Sequence, residues 1–172
     1  MKATTLMITG LLAGPLVVGN ALAANLSQQD TKWLQGVHQG SQFVVQISEY
    51  EEKNGSSPLA RKYAQKMAAH DTYVDTRTKD LAKAQHVGLP KELTQKQQQE
   101  LSEIKATSGT GLDKLYSNTM LELEINAGNK TLQEITHGQS QATMGFATFL
   151  LPEINLEANM FQHAVSEMKT PV

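Results

Sequence analysis

The stretch Ser140-Gln-Ala-Thr-Met-Gly-Phe-Ala-Thr-Phe-Leu-Leu-Pro-Glu-Ile-Asn-Leu-Glu-Ala-Asn-Met-Phe-Gln-His-Ala-Val-Ser-Glu-Met168 decides the fold. Within it Ala147, Leu150, Ile154, Glu157, Phe161, Ala164 and Met168 recur at alternating intervals of three and four, the spacing that lines one face of an α-helix. A helix starting near Ser140 is therefore expected, kinked by Pro152 in its second or third turn. One member of this stripe is not apolar. Glu157 lies between Ile154 and Phe161, where an unpaired carboxylate is costly to bury. It needs a metal ion, a partner such as His70 or Tyr63, or a proton held by a raised pKa.

Three more long helices precede this one. Ser27-Gln28-Gln29-Asp30 is a helix start, with a hydroxyl to accept an orphan amide and an acid at the positive end of the dipole. The stripe Trp33, Val37, Gly40, Val44 and Ile47 carries a helix from there to about Glu52. Lys53-Asn54-Gly55-Ser56-Ser57-Pro58 stops it and starts the next, which runs to about Gln85 with Ala60, Tyr63, Met67, His70, Val74, Leu81 and Ala84 on one face. A further helix is expected from about Leu112 to Thr136, closed by His137-Gly138. The connection between the second and third long helices, about residues 86–111, holds an amphipathic Gln-rich segment. The other two connections are short and make antiparallel hairpins. The long one can cross the whole length of the assembly, so the helices it joins run parallel. The expected architecture is all-α: a ferritin-like four-helix bundle with a long crossover carrying a short extra helix. Neither strand alternation nor an internal repeat is apparent.

Lys2, the apolar run from about Leu6 to Val18, and the small residues Ala21 and Ala23 have the three-part organisation of a secretory leader cleaved after Ala23. Residues 1–23 are thus expected to be a signal peptide and 24–172 one domain, free in the periplasm. The apolar run is shorter than the ~20 residues that span a bilayer, and no later segment qualifies. The chain has no Cys, which excludes disulfides, thiolate chemistry and a lipidated cysteine. Its net charge of −2 comes without basic clusters, so nucleic acid is not an expected partner.

Aligning the four helices by length puts Ser41 and Val44, His70 and Asp71, Glu122 and Glu124, and Ile154 and Glu157 at one level. Asp71, Glu124 and Glu157, with His70 beside them, form a candidate site for a divalent metal ion. The di-metal bundle pattern asks for Glu-x-x-His on two helices. This chain has that spacing once, at Glu134 to His137 in a last helical turn. There the imidazole complements the helix dipole, and with His86 and His38 nearby it could also form a surface copper or zinc site. Trp33, Tyr63, Tyr116, Phe146, Phe149 and Phe161 are assigned to the core. No nucleophile elbow or phosphate loop occurs.

Trp33-Leu34 and Gly40, Pro58 with Arg61 through Met67, Gly88-Leu89-Pro90, Tyr116 to Met120, and Leu151-Pro152 together resemble a bacterial exported family, domain of unknown function four-one-four-two. Its members are labelled outer-membrane or membrane proteins of the ferritin-like superfamily. The resemblance implies a ferritin-like fold and export in a Gram-negative type of cell, with no established activity. It also implies Glu where this chain has Val44, Asp-His where it has His70-Asp71, and His where it has Glu124 and Glu157. The expected function is a non-catalytic envelope or stress-associated helical module, with an envelope protein or a metal ion as its partner. The alternative is a metal-binding ferritin-like protein.

Overall fold

The computed structural model describes residues 26–168; the expected leader and its cleavage point lie outside them. Five helices follow in order: α1 (Gln28–Asn54), α2 (Pro58–Ala84), α3 (Gln95–Ala106), α4 (Gly109–His137) and α5 (Gln141–Glu167). No strand occurs among the described residues, so the chain is all-α.

The helix ends follow from local chemistry. The Ser27 hydroxyl accepts from the Asp30 amide while the Asp30 carboxylate accepts from the Ser27 amide at 2.6 Å, and Thr94 and Gln97 repeat this reciprocal cap on α3. Ser57 and Ser140 cap α2 and α5. The end of α2 is closed by His86 in the left-handed region (φ 58), which lets the Val87 amide donate back to the Ala82 carbonyl at 2.8 Å. Pro152 lies inside α5, and the helix continues through it to Glu167.

Cross-helix bonds set the directions. The Ser56 and Ser57 amides, in the α1–α2 turn, donate to Asp113 at the start of α4. At the opposite end the Gln139 and Ser140 amides, in the α4–α5 turn, donate to Asp30 at the start of α1. Hence α1 and α4 are antiparallel while α2 and α4 run parallel. The crossover climbs along α1, strapped by Gln35 to the Gly88 carbonyl, Gln39 to the Glu92 carbonyl and Tyr50 to the Lys105 carbonyl.

The buried apolar residues fall into two clusters. One gathers Phe43, Ile47, Met67, Tyr116, Met120 and Phe161; the other holds Trp33, Leu34, Val74, Ala147, Leu150 and Ile154. Between them, every long helix carries a polar residue: Ser41 on α1, His70 and Asp71 on α2, Glu124 on α4 and Glu157 on α5. Phe149, expected in the core, is 55% exposed and stacks on Phe146 at the surface. It stands one position before the buried Leu150, so its side chain is turned about 100° away from the stripe.

A repeat is present after all. The first hairpin superposes in sequence on the second at a constant offset that takes Asp30 to Asp113, Glu51 to Glu134, Gly55 to Gly138 and Ser57 to Ser140. The bonds repeat with the residues: Trp33 Nε1 donates to Thr131 Oγ1 at 3.3 Å, and their counterparts Tyr116 and Ser48 pair at 2.9 Å. Six of the seven buried positions of α2 are buried again in α5 at that offset, which identifies two structurally equivalent halves. Few side chains are identical between them. Those that are include the residues that tie the turns, and the core positions keep only their burial.

Candidate functional site

The polar level in the core opens into a cavity of about 430 Å³. Its space comes from small residues where α1 faces α4. A Cβ added at Gly36 or Gly40 would meet nothing within 4 Å, and Ala127 lies on the opposite wall. Trp33, Val37, Val74, Leu150 and Ile154 line it with apolar surface. The exposed Lys32 and Lys130 stand on its lining toward solvent.

Ser41, Val44, His70, Asp71, Glu124, Ile154 and Glu157 all line this one cavity. Glu122 does not; it faces solvent. Two residues on a helix are about 200° apart, so Glu122 and Glu124 cannot both point inward. Glu157 is 1% exposed, and its Oε1 lies 3.0 Å from His70 Nδ1. That is ion-pair distance, but the ring N–H is not aligned for a hydrogen bond, so neither atom has a hydrogen-bonding partner. The adjoining Glu157 carboxylate raises the His70 pKa against the opposing effect of burial. Glu124 is 6% exposed, and among the described residues its carboxyl makes neither hydrogen bond nor ion pair. Burial first, then the charges of Asp71 and Glu157, push it up to about 9. Burial likewise lifts Asp71 to about 7, opposed by a hydrogen bond from Ser41 and by His70. Among the described residues, no three His, Asp or Glu side chains converge closely enough to hold a metal ion. The four side chains share a cavity without forming a ready coordination shell.

The Glu134 to His137 spacing does not make a site either. The exposed His137 ring bonds to Thr136 Oγ1 at 2.7 Å, whereas Glu134 is fully buried and turned toward Gln29 and Asp30. His38 is buried, with Nδ1 2.5 Å from Asp75 and Nε2 3.0 Å from the Pro90 carbonyl, tying α1 to α2 and the crossover.

Two buried carboxyl pairs went unrecognised in the sequence. Glu51 lies beside Asp113, and burial first, then the adjoining Asp113 carboxylate, lift it to about 8, with Arg61 opposing. Glu134 lies beside Asp30 and is lifted to about 7 by burial, that contact and the Asp30 charge. Burial alone would raise Asp30 as well, but hydrogen bonds from Ser27 and the Ser140 amide outweigh it and hold Asp30 at about 2. The available signal was the Asp, Glu, Gly and Ser set recurring at one offset.

The profile of a family described as a domain of unknown function (DUF4142) matches residues 17–164. No curated protein and no solved structure matches the chain. No helix among the described residues is long and apolar enough to cross a membrane.

Proposed function

Because this chain belongs to the DUF4142 domain-of-unknown-function family, whose description assigns no reaction, we propose a function from the cavity itself. The protein is an exported, periplasmic, ferritin-like four-helix bundle that binds a ligand in its core and does not catalyse a reaction. The carrying observation is that all four long helices interrupt their apolar stripes at the same level, around a cavity of about 430 Å³. A bundle selected only for stability would fill that layer, since a void and unpaired polar groups both destabilise. Two antiparallel hairpins joined by a long crossover support the ferritin-like layout. The candidate leader supports export, and a mature N-terminus at Ala24, read from envelope extract of the producing cell, would establish it. A mature chain retaining Met1 would refute cleavage.

The second reading is a divalent metal site formed by Asp71, Glu124, Glu157 and His70, favoured by the unpaired Glu124 carboxyl. It requires side-chain movement, because no three of these groups converge. Offering the purified chain Fe(II), Mn(II), Zn(II) and Cu(II) separates the two readings. A ligand at 100 times its dissociation constant adds about 2.7 kcal/mol to stability. A metal that does so for the wild type but not for Glu124→Gln establishes the metal reading.

A further inference from the structure

The cavity has two chemical ends, and together they restrict what fits. Its inner part holds the carboxyl groups of Glu124 and Glu157, both nearly enclosed by protein, with the partly exposed His70 beside Glu157. Its walls are apolar side chains of both core clusters, and the exposed Lys32 and Lys130 belong to its lining. A bare metal ion answers only the first of these features. An ion with six waters of about 30 Å³ each occupies roughly 180 Å³, less than half of the 430 Å³ cavity. It would also leave the apolar walls wet. A neutral hydrocarbon answers only the second, because it leaves the buried Glu124 carboxyl without a hydrogen-bonding partner.

Resting on the core-binding function above, we propose that the cavity binds a small organic monoammonium ion, with its head at Glu124 and Glu157 and its apolar body along Trp33, Val37, Leu150 and Ile154. The size and mainly apolar lining, with a few convergent polar groups, are those of small-molecule sites. Glu124 supplies the group that asks for a ligand: more than nine-tenths buried, lining the cavity, and without a hydrogen bond or ion pair among the described residues. The ammonium donates hydrogen bonds to it and neutralises it in a low-dielectric setting, where charge-assisted bonds are strong. Lys32 and Lys130 then act as a selectivity element, since a second positive charge at the far end of the ligand meets them in repulsion. The glycines leave the opening: Gly36 and Gly40 keep the α1 side of the cavity free.

The test uses the purified mature chain with hexylamine, hexanol, hexamethylenediamine and Zn(II), read by calorimetry and by melting temperature. Hexylamine is expected to bind and raise the melting temperature, with hexanol and the diamine each about tenfold weaker or more. Glu124→Gln, which puts a neutral group of the same shape where the raised pKa already favours a protonated carboxyl and so keeps the fold, should bring hexylamine down to the level of hexanol. Gly40→Leu, whose side chain enters the cavity, should abolish binding of all the organic probes. Equal binding of hexanol and hexylamine, or no effect of Glu124→Gln, overturns the ammonium assignment and leaves core binding standing. No binding by any organic probe overturns the assignment too: alongside Zn(II) binding that depends on Glu124 it gives the site to metal, and alone it removes core binding as well.

Discussion

A buried carboxyl group without a partner is either protonated or waiting for a cation, and burial with the charges of Asp71 and Glu157 pushes Glu124 toward the protonated state. Replacing it with Leu removes the unpaired group and fills part of the cavity. Glu124→Leu is therefore expected to raise stability by about 1 kcal/mol or more, seen as a higher urea midpoint at unchanged slope. A lower midpoint would mean that Glu124 has a partner in solution. Gly138 responds in the opposite sense. A Cβ there would stand 2.5 Å from Glu134 Oε1 and 2.6 Å from the Glu134 carbonyl. Its φ of −61 suits any residue, so contact, not backbone strain, requires glycine. Gly138→Ala should cost about 1–3 kcal/mol by overpacking, measured in the same titration; a neutral result would show the buried Glu134 carboxyl to be free to move.

At the scale of elements, the crossover depends on α1 for its path. His38 bridges Asp75 and the Pro90 carbonyl, so one side chain fixes α2 and the crossover to α1. His38→Ala should destabilise by about 2 kcal/mol, since it leaves buried acceptors unsatisfied. Amide hydrogen exchange should quicken in the crossover, around Val87 to Lys91, more than in α5. Uniform acceleration through all five helices would show the bond to matter only globally. The histidine illustrates where legibility in the sequence ended. Periodicity exposed the four long helices because an apolar face recurs every three or four residues, and counting along them brought Ser41, His70, Asp71, Glu124 and Glu157 to one level. It gave no partners for His38, because one is a carboxylate on the neighbouring helix and the other a backbone carbonyl in an irregular segment. Nor did it give the Glu51 and Glu134 pairs, which bond to residues on other helices. The repeat escaped notice because matching core positions preserve burial but not identity.

For the molecule as a whole, the duplicated pairs make stability depend on pH. Glu51 stands at about 8 and Glu134 at about 7, against the ordinary 4.5. Their folded-state values are the higher ones, so their stabilising contribution is complete below about pH 4.5 and is lost as pH rises through 7 and 8. Asp30, at about 2 against 3.8, has the opposite sign: its contribution is present above 3.8 and is lost toward pH 2. The melting temperature should therefore peak between about pH 4 and 5 and decline toward 8. The charges facing these groups are Asp113 and Arg61 at Glu51, and Asp30 at Glu134. Converting both glutamates to Gln should make the alkaline limb shallower, leaving the part that Asp71 and Glu124 contribute with the same sign, and should keep the acid limb in place; an unchanged alkaline limb would remove the two glutamates as a cause. The same ties act on the connectivity of the chain. Asp113 holds the turn of the first hairpin and Asp30 the turn of the second, so each half completes the other. The covalent link through the crossover is then dispensable once both halves exist. Cut between α2 and α4, the chain should behave as a heterodimer of two fragments that fold only together, a split protein whose reassembly reports on whatever brings its halves into one place.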